Sequence, residues 1–328
     1  MRGARLALLA TLAACARAEG PGSRELYELE RLVFVPPAAC TLWPNTDLSL
    51  RTALVFDRFE FTRADLRHYG QGRTWRSQAL TWSTDAARDD EERGDWPAFV
   101  DFDEAEALAA LRGMRLPTPT EWLHVAVGRR GYPNPWGGAG REFFANTVVL
   151  QDGEDFSLKS PCDVGTFENG RSRPFGCYDL LGNVWEWGDG VVPGFEPTFP
   201  EGGEDLDDGA GTKASVLGGA FDTLWRPTFE LDRRLNRQRF HARLIDKQTL
   251  SPSIGARMCA DAERYLWWAA PRWGSDAGAE RRVLAVGREW SKDDSARAAL
   301  RALLADLRAR PDAPPALVWL EQAVLSDS

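Results

Sequence analysis

Cysteine and histidine are the side chains best suited to nucleophilic or transition-metal chemistry, and this chain contains few of either. It has five cysteines and three histidines, and the histidines are widely spaced, at His68, His124 and His241. No two cysteines have the CxxC spacing of a zinc site. Three scattered histidines also leave little scope for imidazole metal sites or general-base catalysis. The residue types therefore argue against a zinc centre.

The N-terminal segment resembles a bacterial lipoprotein signal peptide. Arg2 and Arg5 precede an apolar run over 6–14 that is too short to span a bilayer, and the run ends in Leu-Ala-Ala-Cys at Cys15. This resemblance to a lipobox predicts a lipidated Cys15. We expect a membrane-anchored lipoprotein of the bacterial cell envelope, facing the periplasm or the exterior. Secretion with cleavage near Ala18 is the alternative.

The remaining four cysteines are disulfide candidates, because an exported protein meets an oxidising compartment. They are Cys40, Cys162, Cys177 and Cys259. Four cysteines allow three pairings, and the sequence alone does not choose among them. Two disulfides or buried free thiols are both compatible with the sequence.

Composition and charge narrow the class of protein. Hydrophobic residues make up 43% and charged residues 27% of the 328 residues, values typical of a globular protein with a sizeable core. The formal net charge is -9. Because a phosphate-binding face needs a surplus of Lys and Arg, this balance argues against a nucleic-acid partner.

Local patterns predict the elements that must position these side chains. A strand is expected over 32–35, and helices over 63–69, from Asp103 to Gly113, and from Thr118 to about Gly128. Thr118 is followed three residues later by Glu121, a capping-box pattern. Residues 129–260 are rich in Gly, Pro and Asn and show little periodicity. Apolar spacing over 293–310 and 316–325 predicts two further helices.

Seven motifs together resemble the sulfatase-modifying-factor family, the formylglycine-generating enzyme family. The most specific is FGCYDLLGNVWEW over 175–187, and RLPTPTEW over 115–122 is the next. The other five follow the family order: DRFEFTRADLRHY over 57–69, NPWG over 134–137, DVG over 163–165, VLGGAF over 216–221 and GARMC over 255–259.

The resemblance implies an α+β fold that is irregular, loop-rich and related to C-type lectins. We therefore expect a signal peptide over 1–15, a polar spacer over 16–31, the family domain over 32–262 and a helical appendage over 263–328. The appendage presents Leu300, Leu303, Leu304 and Leu307 on one stripe, which needs a covering surface. The second helix, the domain or another protein could provide that surface.

Family enzymes hold copper(I) with two cysteines placed shortly after the R-G-G-S segment. Thr223 and Thr228 stand near those positions here, and Ala220 replaces the family serine. Because copper(I) needs soft thiolate ligands, the sequence argues against copper and against formylglycine generation. Iron-dependent, sulfoxide-forming members hold iron with three histidines from a separate helical-bundle domain, a pattern that His68, His124 and His241 do not match.

The resemblance also implies calcium. One family ion lies in the G-N-x-W-E turn, and the matching positions here are Asp179, Leu180, Gly182, Val184 and Glu186. A second ion is bound by an Asn and a downstream Asp, for which Asn146 and Asp155 are the nearest equivalents. Oxygen ligands of this mixed kind suit calcium. A hydrogen-bonded Glu186 without a metal is the alternative.

The family disulfide cannot form here, since the expected partner of Cys259 is replaced by Ala109. Because the N- and C-terminal strands pair in this fold, the resemblance implies Cys40 as the partner instead.

The sequence favours a lipid-anchored, non-catalytic binding or scaffold protein of this family. Two alternatives remain open: an oxidase acting on a protein cysteine through an atypical site, and a structural subunit of an envelope complex that docks through the appendage. The missing cysteine pair separates the first reading from the oxidase. The sequence does not name a ligand or partner.

Overall fold

The computed structural model describes residues 23–42, 46–77, 93–138, 142–151, 154–155, 157–190, 196–197, 211–224, 229–232, 237–240 and 242–326. The chain divides into two compact units. Residues 33–265 are here called the sheet unit. Residues 1–32 and 266–328 form the other unit; its described residues, 23–32 and 266–326, are here called the helical unit. Both helices and strands are present, so the expected α+β class is confirmed.

The described strands of the sheet unit are short. Strand β1 (Leu32–Val35) begins one residue before the sheet unit. The others are β2 (Thr41–Leu42), β3 (Thr46–Asp47), β4 (Leu54–Asp57), β5 (Leu150–Gln151), β6 (Glu154–Asp155), β7 (Trp185–Gly188), β8 (Glu196–Pro197), β9 (Lys213–Leu217), β10 (Phe229–Asp232), β11 (Arg237–Phe240), β12 (Ala242–Asp246), β13 (Ile254–Gly255) and β14 (Cys259–Asp261). They form sheets in the orders β1-β4-β14, β12-β9-β7-β13 and β10-β11-β8, with β2-β3 and β5-β6 as hairpins.

Two of these sheets carry the residues of the site. β14 is antiparallel to β4, with Cys259 opposite Phe56. β7 is antiparallel to β9, with Glu186 opposite Leu217, and parallel to β13. All four residues of β7, Trp-Glu-Trp-Gly, are buried, so the polar Glu186 lies inside the protein and needs a buried partner.

The helices of the sheet unit begin where the sequence places their caps. Helix α2 (Arg63–Tyr69) is capped by Thr62, and helix α4 (Pro119–Val127) by Thr118, each with both hydrogen bonds of a capping box. Helix α3 (Phe102–Leu111) begins before the predicted Asp103, because Asp101 is the N-cap and accepts from the amide of Glu104 at 2.9 Å.

The helical unit contains helices from both ends of the described chain. These are α1 (Ser23–Glu30), the second half of α5 (Ala262–Ala269), α6 (Ala277–Trp290), α7 (Asp294–Arg308) and α8 (Leu317–Leu325). Helix α1 falls in the segment expected to be a polar spacer, and α6 was not foreseen. Its buried face consists of Ala279, Val283, Val286, Gly287 and Trp290, so the helical spacing that predicts it was present in the sequence. A Cβ added at Gly287 would lie 2.6 Å from Cβ of Ala323, so glycine allows the close contact with α8.

The predicted leucine stripe of α7 is covered within the helical unit. Leu300, Leu304 and Leu307 are buried, and α8 packs against both α6 and α7. The second helix is therefore the covering surface, which was one of the three alternatives. Within the described chain, no helix is long and apolar enough to cross a membrane.

Candidate functional site

The turn before β7 has an irregular backbone that only certain residues tolerate. Asp179, Gly182 and Asn183 all have positive φ, at 55°, 87° and 60°. Asp and Asn adopt this left-handed conformation more readily than other side chains do. Gly182 has no substitute, because an added Cβ would lie 2.3 Å from the carbonyl oxygen of Asn146. These contacts explain the spacing of the D-x-x-G-N motif.

The Asn183 side chain joins three segments of the sheet unit. Its Oδ1 accepts from the amide of Cys162 at 3.0 Å and from Nδ2 of Asn146 at 3.1 Å. Its Nδ2 donates to Oε2 of Glu60 at 2.6 Å and to the carbonyl of Cys162 at 3.3 Å. Asn183 is fully buried, so these bonds satisfy an amide that has no access to water.

Glu60 is a site residue that the sequence analysis missed. It is 1% exposed, and its Oε1 accepts from the amide of Val184 at 3.1 Å. Burial, followed by the negative charges of Asp179 and Glu186, raises the pKa of Glu60 well above its usual value. An acid among apolar residues in Arg-Phe-Glu-Phe was the available signal, since such a carboxyl group needs a buried partner.

Glu186 is the centre of a buried ion pair. Its Oε1 lies 2.6 Å from Nη2 and 3.1 Å from Nε of Arg257, while Oε2 lies 3.0 Å from the same Nε. Oε2 also accepts from Nε1 of Trp122 at 2.6 Å. The side chains of Arg257 and Glu186 are 0% and 1% exposed. Arg257 also donates to the carbonyls of Asp57 and Tyr178, and its charge was another missed signal.

Asp179 is also buried, and it faces a backbone amide rather than a cation. Its Oδ2 accepts from the amide of Gly165 at 2.6 Å. Burial raises the pKa of Asp179 to about 6, against the smaller lowering effect of that hydrogen bond. Leu180 and Val184, the neighbouring positions expected to offer carbonyls, have fully buried side chains.

The first calcium position does not fit its expected charged ligand. Four donor contacts, three from Arg257 and one from Trp122, occupy the two carboxylate oxygens of Glu186. A guanidinium 2.6 Å away also neutralises the charge that would attract a cation. Glu186 therefore matches the alternative of a hydrogen-bonded acid that holds structure.

The second position fits in part. Asn146 is buried, and its Oδ1 has no hydrogen-bond partner, which suits a neutral calcium ligand. Its Nδ2 donates to the carbonyl of Ser160 at 3.0 Å. Asp155 is exposed on β6, where Ser157 and Lys159 occupy its carboxylate. Asn146 is thus the better supported ligand of the pair.

All four cysteines in the described part of the chain are free thiols. Sγ of Cys40 lies 3.9 Å from the carbonyl oxygen of Gly128, whereas Sγ of Cys259 lies 3.2 Å from Nη1 of Arg115. The expected Cys40–Cys259 disulfide is therefore not formed, and the alternative of free thiols describes the structure. Burial raises the pKa of Cys162 and of Cys177 to about 12, and also raises that of Cys40 and Cys259. These thiols are protonated near neutral pH.

The position expected for the first copper ligand holds a satisfied hydroxyl. Thr223 is buried, its Oγ1 accepts from the amide of Ala220 at 3.1 Å, and its carbonyl accepts from the amide of Val148 at 2.9 Å. Thr228 and Cys15 lie outside the described residues. A neutral hydroxyl held in this way offers no soft ligand to copper(I).

The two described histidines lie in different environments. His68 is exposed and contacts the ring of Tyr69 edge-on. His124 is fully buried, its Nδ1 lies 2.7 Å from the carbonyl oxygen of Leu48, and burial lowers its pKa. His241 is outside the described residues. In the described part of the chain, no group of three or more His, Cys, Asp or Glu side chains is arranged to hold a metal ion.

Comparison with known families confirms the resemblance. A sequence model of the sulfatase-modifying factor enzyme 1-like domain (FGE-sulfatase) matches residues 22–220, which is 199 of 328 residues. The chain belongs to this family. The match ends at Ala220, so the positions of Thr223 and Thr228 lie beyond it.

Individual relatives match shorter stretches. The chain is 36% identical over 135 residues to hercynine oxygenase of Mycolicibacterium smegmatis, covering 37% of this chain and 29% of the relative. It is 37% identical over 98 residues to inactive C-alpha-formylglycine-generating enzyme 2 of Bos taurus, covering 27% and 30%. The aligned region thus spans less than a third of each relative. PvdO of Pseudomonas aeruginosa is a similar solved structure, with 18% identity and a TM-score of 0.48, covering 74% of this chain and 100% of that one.

Proposed function

We propose that the protein is a non-catalytic binding module of the sulfatase-modifying-factor family. The observation that carries this proposal is Thr223, whose buried hydroxyl is satisfied by the amide of Ala220 where family oxidases place a copper thiolate. The described cysteines do not compensate, because their raised pKa values keep the thiols protonated. The similarity to a relative named as inactive is consistent with this proposal.

An iron-dependent activity of the hercynine oxygenase kind has weaker support. The similarity to that enzyme covers less than a third of its length. The described part of the sheet unit contains one exposed histidine, His68, and one buried histidine, His124, whose Nδ1 lies 2.7 Å from a carbonyl oxygen. Such an arrangement provides no set of three converging imidazoles.

The proposed location is the cell envelope, with lipid on Cys15 as the anchor. Support comes from the sequence, where a short apolar run ends in Leu-Ala-Ala-Cys. In a fractionation experiment on the full-length protein, Cys15→Ala should move it from the membrane to the soluble fraction. Unchanged membrane association would contradict the anchor. A partner, either a protein or a small molecule, is also proposed, because binding is the role left to a non-catalytic module.

Calcium is proposed to bind at Asn146 and to act as a structural ion. A ligand that binds only the native state raises stability by RT ln(1 + [L]/Kd), about 2.7 kcal/mol at a hundredfold excess over Kd. We expect calcium to raise the melting temperature of wild type relative to a chelator, and Asn146→Ala to remove the difference. Glu186→Gln should melt lower but keep it. If Glu186→Gln lost the calcium response and Asn146→Ala kept it, the ion would instead bind at the turn that contains Glu186.

A peptide that carries a sulfatase-type cysteine tests whether the protein generates formylglycine. Copper-loaded wild type, oxygen and the peptide should yield no formylglycine by mass spectrometry, while an active formylglycine-generating enzyme in parallel should convert it. Conversion by wild type would overturn the proposal. The variant Thr223→Cys/Thr228→Cys tests the reason, since a gain of copper(I) binding would show that thiolates are what the site lacks.

A further inference from the structure

Three exposed arginines lie near the end of helix α4, and Arg130 contacts a tyrosine there. The helix ends at Gly128, which has a φ of 60°, and Arg129 and Arg130 follow on the surface. The chain then turns back, because the amide of Tyr132 donates to the carbonyl of Val127 at 3.0 Å. This turn places the half-buried Tyr132 beside Arg130, whose Nη1 lies 3.3 Å from the phenol oxygen.

A separate loop brings the third arginine to the same place. The amide of Arg173 donates to the carbonyl of Pro135 at 2.9 Å. Pro174 packs so closely on the helix end that a Cβ at Gly128 would lie 2.5 Å from its Cγ. A Cβ at Gly137 would lie 3.4 Å from Cδ and Nε of Arg173, so the start of that side chain lies against the turn. Backbone contacts therefore fix the position of Arg173.

The charges on this surface are not balanced by the described residues. Nη1 of Arg130 lies 3.3 Å from the phenol oxygen of Tyr132. Hydrogen bonding from Arg130, with a smaller contribution from Arg173, lowers the pKa of that phenol. Across the described ranges, none of Arg129, Arg130 and Arg173 forms an ion pair with a carboxylate. The chain as a whole carries a net charge of -9.

Helix stability accounts for only part of this arrangement. Positive charge near the C-terminus of a helix is favourable, and Arg129 and Arg130 directly follow α4. Arg173 belongs to a different loop and gains little from that dipole, yet it is held beside the other two. Two guanidinium groups near one phenol repel each other unless an anion lies between them.

We propose that Arg130, Arg173 and Tyr132 form a binding site for an oxyanion of the sulfate or phosphate type, with Arg129 adding positive charge at the same end of helix α4. Guanidinium groups match tetrahedral oxyanions with paired N–H donors, and the phenol adds an O–H donor. The anion would be either a free ion or an ester carried on a larger molecule. The site is independent of the catalytic question, because none of its residues belongs to the 216–228 segment.

The test compares matched charge variants in a titration of the full chain. Wild type is titrated at low ionic strength with inorganic sulfate, inorganic phosphate, dextran sulfate and neutral dextran, followed by calorimetry. Arg130→Gln/Arg173→Gln removes two charges from the site. Arg288→Gln/Arg301→Gln removes two from exposed positions on α6 and α7 and serves as the control. Because all four residues are exposed, the variants should fold, and circular dichroism checks this.

We expect the site variant to bind sulfate or dextran sulfate at least tenfold more weakly than wild type, and the control within about twofold of it. Arg130→Lys/Arg173→Lys keeps the charge but loses the planar fork, so it should fall between them. Tighter binding of dextran sulfate than of inorganic sulfate would identify an ester on a polymer, and equal binding a free anion. No binding by wild type, or equal weakening in the control, would overturn the proposal.

Discussion

In two arginine–glutamate pairs of this protein, the same two arginine nitrogens contact the carboxylate, but one pair is buried and the other is exposed. In the sheet unit, Nε and Nη2 of Arg257 contact the carboxylate of Glu186, and in the helical unit the same two nitrogens of Arg282 contact Glu30 at 2.7 and 3.0 Å. The first pair is 0% and 1% exposed, whereas the second is 29% and 40% exposed. Geometry alone would rank the two as equals.

Burial makes them different in kind. Both members of the exposed pair keep water when they separate, so little free energy depends on their contact. A buried pair is tied to everything around it, because removing one partner leaves an uncompensated charge without water. Arg257 is also bonded to the carbonyls of Asp57 and Tyr178, and Glu186 to Trp122. The pair therefore anchors several segments in the region where the family resemblance predicts a metal.

Glu186→Gln should give the largest loss of stability. We expect a decrease of about 3–5 kcal/mol in the free energy of unfolding, since the Arg257 charge would remain buried without its counter-ion. Urea denaturation followed by tryptophan fluorescence measures it. The double-mutant cycle with Arg257→Gln should show a coupling energy well above that of a surface pair.

A small coupling energy in that cycle would contradict the comparison. It would mean that solvent or another group compensates Arg257 in the variant. Arg257→Lys provides a further control, because it keeps the charge but cannot reproduce the paired contacts with Glu186. It should fall between wild type and Arg257→Gln.

Asn183→Ala is expected to lower stability by about 3 kcal/mol, because several buried hydrogen bonds are lost and a residue with positive φ gains an unsuitable side chain. Asn183→Gly separates the two contributions, since glycine accepts a φ of 60° but provides no amide. The glycine variant should be the more stable of the two by about 1 kcal/mol. Equal stabilities in thermal or urea unfolding would show that backbone conformation contributes nothing here.

Thr118→Ala should have a moderate effect. Thr118 caps helix α4, with its Oγ1 accepting from the amide of Glu121 at 3.3 Å. Loss of such a cap costs about 1 kcal/mol. Thr120→Ala, two residues into the same helix, changes the same atoms without removing a cap. A loss in the control as large as that in Thr118→Ala would show that the cap is not the cause.

The local elements were predictable where a short motif determines them. Thr118 caps its helix as expected, because a capping box involves residues only three positions apart. The family resemblance likewise identified the G-N-V-W-E-W turn. Its role was harder to derive, since the partners of Glu186 and Asn183 are distant in sequence.

Long-range pairings explain most of the differences. Arg257 is 71 positions from Glu186, and Glu60 is 123 positions from Asn183, so no local pattern could join them. The resemblance therefore suggested calcium ligands where the structure shows an ion pair. Helix α6 was missed for a different reason, since the helical spacing of Val283, Val286 and Trp290 was present in the sequence and was not used.

Arg282→Gln should have the smallest effect, which completes the comparison. An exposed pair contributes about 0.2–1 kcal/mol after solvent screening, so the cycle with Glu30→Gln should give a coupling energy in that range. Salt sharpens the test, because the Debye length falls from about 10 Å at 0.1 M to about 3 Å at 1 M. The coupling of Arg282 with Glu30 should therefore fall towards zero in 1 M salt, while that of Arg257 with Glu186 should change little. Equal salt dependence of the two cycles would mean that burial does not separate them.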